Sequence, residues 1–142
     1  EADQEVMDIL REEGAFSEER KSWFPQRYDG SGDARVLLHC FSGSRELGQQ
    51  YVKLGATISV AGPVTYKNNK KTVAVVEALP IEALLVETDS PYLTPVPFRG
   101  KRNIPPYVEY TAAKVAEIKG LTLEETAART KENAMRFFDV RE

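Results

Sequence analysis

The sequence predicts an α/β fold built on a parallel sheet, and three observations carry that prediction. Short apolar runs alternate along the chain with longer segments in which apolar residues recur every three or four positions. Gly and Pro separate many of these segments. The 142 residues are 42% hydrophobic and 29% charged, which is ordinary for a globular protein. Strands that alternate with helices are joined by right-handed crossovers, so we expect the strands to run parallel.

The first quarter of the chain predicts one helix and an irregular connection. Residues 3–13 have the periodicity of a helix with one apolar face. Residues 14–35 are polar and irregular, so we expect a connecting loop that Trp23 and Phe24 attach to the body. The helix residues predicted to face inward are Val6, Ile9 and Leu10.

The rest of the chain predicts three strands, each followed by a helix, and one further helix at the end. Continuous apolar runs such as Val36 to Leu38 are typical of strands buried on both faces. Thr122 and Glu125 form a capping box before the last helix. The predicted strands are residues 36–39, 56–60 and 84–88, and the predicted helices are residues 45–54, 69–79, 107–119 and 123–138.

Three parallel strands make a poor sheet by themselves, because parallel strands need cover on both faces and leave two open edges. A (β/α)8 TIM barrel takes about 250 residues. We therefore expect residues 1–142 to be the C-terminal part of one such barrel, contributing its last three strands and their helices. A small three-layer α/β fold is the alternative. Open sheet edges would also allow the chain to associate with another molecule.

Composition excludes several classes of site. The net charge of -3 argues against a protein that coats nucleic acid by bulk electrostatics. One cysteine, Cys40, excludes an internal disulfide and a zinc site built from cysteines, and is consistent with a reducing, cytoplasmic location. One histidine excludes a histidine-rich metal site within the chain. No apolar run approaches the roughly 20 residues that span a membrane, so we expect no membrane partner.

Two strand ends carry residues suited to metal binding. His39 ends the first predicted strand, and the C-terminal ends of barrel strands form the active site. Glu87 and Asp89 end the third strand and, lying two residues apart, point to the same face. Two carboxylates in an apolar interior would repel each other unless a cation lay between them. A core histidine and a turn-forming Asp-Ser-Pro remain the structural alternatives.

Cations are concentrated in the loop that precedes the last two helices. Arg99, Lys101 and Arg102 lie within four residues, and Gly100 allows the backbone to turn tightly. A guanidinium fork and an ammonium together suit phosphate oxygens. The alternative is a solvated basic loop. We interpret a second cluster, Lys67, Lys70 and Lys71, as the solvated start of a helix.

Five segments, taken in order and spacing, resemble the deoxyribonucleases of the TatD type. The resemblance covers nearly everything from Val36 onward, and residues 1–13 also resemble the helix after that family's fifth strand. The matching segments are His39-Cys40-Phe41-Ser42-Gly43, Gly62-Pro63-Val64-Thr65-Tyr66-Lys67-Asn68, Glu87-Thr88-Asp89-Ser90-Pro91-Tyr92-Leu93, Arg99-Gly100-Lys101-Arg102-Asn103 and Asn133-Ala134-Met135-Arg136-Phe137-Phe138.

The resemblance implies a barrel of the metal-dependent hydrolase type and a role for each matching site residue. His39 and Asp89 would be metal ligands, and Asp89 would also activate the attacking water. Arg99, Lys101 and Asn103 would line the substrate site. The implied reaction is hydrolysis of a DNA phosphodiester from the 3′ end, with two divalent ions such as Zn²⁺, Mg²⁺ or Mn²⁺ in the complete protein.

Two departures from the family pattern qualify that expectation. Ile104 stands where the family has Glu, and the family's earlier metal ligands would lie before Glu1. We therefore expect the chain alone to be inactive. Two alternatives to a nuclease remain: a half-barrel that serves as a non-catalytic binding module, and an amide or ester hydrolase of the same architecture. The basic loop argues against the latter, because a neutral substrate needs no cluster of cations.

Overall fold

A three-stranded parallel sheet forms the centre of the protein. The computed structural model describes residues 2–141. Its strands are β1 (Leu37–Leu38), β2 (Thr57–Val60) and β3 (Leu84–Val86), and they neighbour one another in chain order. Leu38 lies opposite Ile58, and Val60 lies opposite Val86. The predicted parallel sheet and its strand order are confirmed.

Both outer strands are shorter than predicted, because the chain turns just beyond them. Cys40 and Asp89 have φ angles of 47° and 54°, in the left-handed region that a strand cannot contain. The backbone N–H of Glu87 still donates to the carbonyl of Val60 at 3.0 Å. His39 and Glu87 therefore lie immediately past the C-terminal ends of their strands.

Every helix predicted from the sequence is present. The side chain of Ser44 caps one helix by accepting from the N–H of Leu47, and the side chain of Thr122 caps another by accepting from the N–H of Glu125. The predicted residues 45–54 and 123–138 match the observed bounds. The helices are α1 (Ala2–Glu12), α2 (Glu18–Lys21), α3 (Arg45–Leu54), α4 (Lys70–Ala78), α5 (Val108–Lys119) and α6 (Leu123–Phe138).

The connection over residues 14–35 is more ordered than predicted. It contains α2, and its anchor is Arg27 rather than Trp23, which is 63% exposed. The buried guanidinium of Arg27 donates to the carbonyls of Val52 at 2.8 Å and Ala56 at 3.2 Å. Val52 lies in the last turn of α3, where its carbonyl also accepts from the N–H of Gly55, and Ala56 lies just before β2. The two bonds from Arg27 hold the connection against the body.

Helix α1 faces inward through Leu10, as predicted, and through Met7, which was not predicted to do so. Met7 is fully buried, whereas Val6 and Ile9 are 46% and 51% exposed. Leu10, three residues after Met7, packs partly against the core. The apolar residues cover a wide face of the helix, and either side of that face could turn inward. The tertiary contacts select the side that contains Met7.

The core lies between the sheet and helices α3, α4 and α5, while α6 packs against β3. Ile58, Val76, Leu84 and Val115 are fully buried there. Asn133 of α6 is 3% exposed, and its amide donates to the carbonyls of Ile81 at 2.7 Å and Leu84 at 2.8 Å. This contact fixes α6 to the start of β3. Among residues 2–141, no helix is both long and apolar enough to cross a bilayer.

A cavity of about 690 Å³ opens where the sheet meets α5 and α6. Its wall is mostly apolar and includes Leu37, Leu85 and Leu123. His39, Ser59 and Glu87 also line it. The polar side chains at the strand ends and the apolar side chains of the sheet thus line the same cavity. The inner face of a barrel sheet has the same arrangement.

Candidate functional site

The fold brings His39 and Asp89 together at the C-terminal ends of β1 and β3. The Nε2 atom of His39 lies 3.8 Å from Oδ1 of Asp89. Both side chains are accessible, at 61% and 38% exposure. The histidine is therefore not a core residue, and the two groups share a space that a small ion or a water molecule can enter.

Glu87 holds the other side of the imidazole ring. Its Oε2 atom lies 2.6 Å from Nδ1 of His39 and accepts from the hydroxyl of Ser59 at 2.5 Å. A carboxylate on Nδ1 favours the tautomer with the proton on that nitrogen. The lone pair of Nε2 is then directed toward Asp89. Such outer carboxylates orient histidines that bind metals.

Ser59 is a member of the site that the sequence reasoning missed. It is 1% exposed on β2, and its hydroxyl accepts from the N–H of Cys40 at 3.0 Å while donating to Glu87. One hydroxyl thus joins all three strand ends. The available signal was a serine beside apolar residues in the central strand, where a buried polar side chain requires a partner.

Cys40 lies beside this network but takes no part in it through its side chain. Burial raises the pKa of its thiol, and the negative charges of Glu87 and Asp89 raise it further. The thiol is therefore a poor nucleophile at neutral pH. Its contribution is the left-handed backbone that turns the chain away from the sheet after His39.

Asn103 faces inward and fastens the loop that follows Asp89. It is 2% exposed, and its amide donates to the carbonyls of Thr88 at 2.7 Å and Tyr92 at 2.8 Å. Its own N–H donates to the carbonyl of Pro91 at 3.0 Å. Contact between Asn103 and substrate stays a prediction. In this arrangement its hydrogen bonds hold the backbone on either side of Asp89 in place.

The two predicted cationic contacts lie on the exposed side of the same loop. The guanidinium of Arg99 stacks 3.7 Å from the ring centre of Tyr66. The Tyr66 hydroxyl donates to the carbonyl of Thr94 at 3.0 Å, and the Thr94 hydroxyl donates to the carbonyl of Lys101 at 2.6 Å. The Lys101 side chain is exposed. Arg99 is therefore positioned by an aromatic ring, while Lys101 is free to move.

Gly62 allows this loop to lie against the end of β2. A Cβ atom at Gly62 would come within 2.0 Å of the carbonyl oxygen of Leu93. No other residue type fits without displacing the loop. The Gly-Pro pair quoted above therefore serves close packing between the loop and the strand end.

Comparison with known proteins decides the family. The sequence profile described as "TatD related DNase" matches residues 1–139. The chain belongs to the TatD family.

Relatives in this family carry names that refer to metal-dependent hydrolysis. The chain is 44% identical to "Uncharacterized metal-dependent hydrolase YabD" of Bacillus subtilis, over 98% of this chain and 48% of that protein. It is 43% identical to YcfH of Escherichia coli K12, described in the same words, over 76% of this chain and 41% of that protein. The chain thus spans about half the length of the curated relatives it matches.

Solved TatD structures match the fold. The structure of YJJV, described as a TatD homolog from Escherichia coli K12, superposes with a TM-score of 0.69 at 33% identity, covering 75% of this chain and 41% of that one. A TatD family hydrolase from Entamoeba histolytica superposes with a TM-score of 0.65 at 22% identity over 74% of this chain. The predicted membership and the α/β fold, as part of a barrel, are confirmed.

The residues of this TatD chain fit part of a divalent-metal site. A neutral imidazole nitrogen and a carboxylate are ligands that Zn²⁺ accepts. Within residues 2–141, however, no group of three or more His, Cys, Asp or Glu side chains converges to hold an ion. The described residues thus offer His39 and Asp89 as candidate ligands, with Glu87 in contact with the His39 ring. Ile104, the departure from the family pattern, is 40% exposed and adds no ligand.

Proposed function

We propose that the protein containing this chain is a divalent-metal-dependent phosphodiesterase that hydrolyses DNA from its 3′ end. The observation that carries the proposal is the His39–Asp89 pair, supported by Glu87 and placed beside a cationic loop. Further ligands would come from the earlier strands of the barrel. The single cysteine is consistent with our proposal that the enzyme works in the cytoplasm.

Each site residue has a chemical task in this reaction. His39 and Asp89 would hold the ion, while Glu87 keeps the imidazole oriented through Nδ1. When bound, divalent ions polarise a phosphoryl oxygen and make nearby water more acidic. Asp89, with its carboxylate accessible, would accept a proton from the attacking water. A bond forms between that water's oxygen and phosphorus as the bond from phosphorus to the 3′ oxygen breaks, and the leaving oxygen takes a proton from solvent.

The cationic loop supplies substrate affinity. Arg99 and Lys101 would contact the phosphates, since an Arg fork and a Lys ammonium suit phosphate oxygens. The stacking of Arg99 on Tyr66 lowers the entropy cost of holding that guanidinium in place. Asn103 would keep Asp89 in position from beneath. An amide or ester substrate would make no use of these charges.

The test is metal-dependent cleavage of 3′-labelled single-stranded DNA by the full-length protein. Mg²⁺, Mn²⁺ and Zn²⁺ are supplied in turn, and the variants His39→Ala and Asp89→Asn are compared with the parent. We expect both variants to lose at least 100-fold in rate, because each removes a ligand and the latter also removes the base. Glu109→Gln, an exposed carboxylate lining the same cavity, is the control and should cleave at the parental rate. Parental rates in all three variants would contradict the proposal.

A further inference from the structure

A second groove, of about 470 Å³, lies beside the start of α4 and is lined by three lysines. Lys67 and Lys70 come from the segment after β2, and Lys114 comes from α5. Tyr66 forms part of the wall, and among the described residues that line the groove Glu77 is the acidic one. We call this the lysine groove. Sequence reasoning interpreted Lys67 and Lys70 as a solvated helix start, without the third lysine that the fold adds.

The positive charges of the lysine groove are only partly compensated by acidic side chains. Lys67 and Lys70 are exposed, and neither forms an ion pair with any residue in the described range 2–141. The ammonium of Lys114 lies 3.6 Å from Glu117 at the surface. Three lysines against Glu77 and the paired Glu117 leave the groove with one net positive charge, on a chain whose net charge is -3. Such a local excess of charge concentrates anions in a cleft.

The lysine groove is joined to the candidate metal site by one loop. Tyr66, in the groove wall, bonds the carbonyl of Thr94 and carries the guanidinium of Arg99 on its ring. The same loop ends at Asn103, which holds the carbonyl of Thr88, next to Asp89. Tyr66 and Asp89 lie in the segments that follow β2 and β3, and the groove extends from Tyr66 along α4 to Glu77. A strand that passes Arg99 would therefore meet Tyr66 at the wall of the groove.

The chemistry of the groove suits a polyanion better than a single small anion. A site for one phosphate converges fixed, buried donors on one point. Here Lys67 and Lys70 are exposed and Lys114 is half-buried, and the three come from a turn, from α4 and from α5. Lysines of this kind bind successive phosphates mainly by displacing counterions. The ring of Tyr66, half-buried beneath Arg99, adds a flat surface to the path.

We propose that the lysine groove binds the phosphodiester backbone of the single-stranded substrate several nucleotides away from the scissile bond. The proposal rests on the proposed nuclease function. It predicts a contribution to affinity that grows with strand length. A dinucleotide, which cannot reach the groove from the metal site, would gain nothing from it.

The experiment compares two triple variants of the full-length protein. The first, Lys67→Gln/Lys70→Gln/Lys114→Gln, neutralises the groove. The second, Arg11→Gln/Lys53→Gln/Arg141→Gln, removes three exposed cations elsewhere and changes the net charge equally. Binding of a fluorescein-labelled 16-nucleotide oligothymidylate is measured by anisotropy at several salt concentrations, with EDTA present to prevent cleavage. Hydrolysis of the dinucleotide is measured separately with metal.

We expect the groove variant to bind the 16-mer about 10-fold to 100-fold more weakly at low salt. Each lost phosphate contact should reduce the slope of log K against log salt by roughly 0.7, so three contacts remove about 2. The control variant should keep the parental slope, and both variants should hydrolyse the dinucleotide at the parental rate.

The outcomes separate this inference from the function on which it rests. A parental affinity and slope in the groove variant would overturn the inference even if the protein cleaves DNA normally. Equal weakening in the two triple variants would also overturn it, since only net charge would then matter. Loss of dinucleotide hydrolysis in the groove variant would assign these lysines to the reaction centre instead. Absence of cleavage by every form would contradict the nuclease proposal, while the binding measurement would still decide the groove.

Discussion

Replacing Glu87 with Gln tests whether the carboxylate supports a metal site or merely fills space. The substitution preserves size and shape but removes the charge beside Nδ1 of His39. In the parent, Oε2 of Glu87 contacts both Nδ1 and the Ser59 hydroxyl, at 2.6 and 2.5 Å. A glutamine can place one neutral oxygen there, or an amide that repels the N–H of the imidazole. The ring is then held less firmly and is less basic at Nε2.

The expected loss of metal affinity is about 10-fold to 100-fold, which is about 1.4 to 2.7 kcal/mol. The free energy of unfolding of the metal-free protein should rise or stay the same. The Oε1 atom of Glu87 is buried without a hydrogen-bond partner, and burial of an unpaired carboxylate oxygen is costly. The neutral amide lowers that cost, so the metal-free variant should unfold at the same temperature as the parent or at a higher one.

Calorimetric titration of the full-length protein with Zn²⁺, combined with thermal unfolding of the metal-free protein, measures both effects. Glu109→Gln is the control, because Glu109 lines the same cavity and is exposed. If Glu87→Gln and the control bind Zn²⁺ equally tightly, the supporting role is refuted. A loss of several kcal/mol of stability together with weaker binding would show that Glu87 is mainly structural.

Three further predictions concern the loop, the helix contacts and the chain itself. Changing Arg99 and Lys101 to Ala in the full-length protein should weaken binding of single-stranded DNA, as measured by anisotropy. The slope of log K against log salt should fall by roughly 1.4. An unchanged slope would show that the loop makes no phosphate contact. Asn133→Ala removes two buried hydrogen bonds, and the carbonyl of Ile81 keeps the N–H of Leu84 as a partner. We expect the free energy of unfolding to fall by about 1 to 3 kcal/mol in a denaturant titration, whereas Asn103→Ala should mainly reduce the cleavage rate. Similar stability losses in both variants would contradict this division of roles. The isolated 142-residue chain should show no metal-dependent cleavage of labelled DNA, because its described residues 2–141 bring together two candidate ligands, fewer than a catalytic site needs. Cleavage at the rate of the full-length protein would show that the active site has another origin.

Local patterns in the sequence accounted for most of the secondary structure and for the position of the site. The apolar runs and the caps at Ser44 and Thr122 predict α3, β2 and α6 closely, because each depends on residues within a few positions. The ends of β1 and β3 were predicted too far along the chain. They end where Cys40 and Asp89 adopt left-handed backbone, and nothing in a run of apolar residues signals that turn.

The sequence by itself determined that His39 and Asp89 end strands of a parallel sheet, and parallel strands present their C-terminal ends at one edge. Only the tertiary structure decided which atoms meet there. The contact between His39 and Glu87 joins residues 48 positions apart, and that between Ser59 and Glu87 joins residues 28 apart. Both depend on the register that sets Ser59 opposite Leu85. Register is a property of paired strands, so no single segment encodes it.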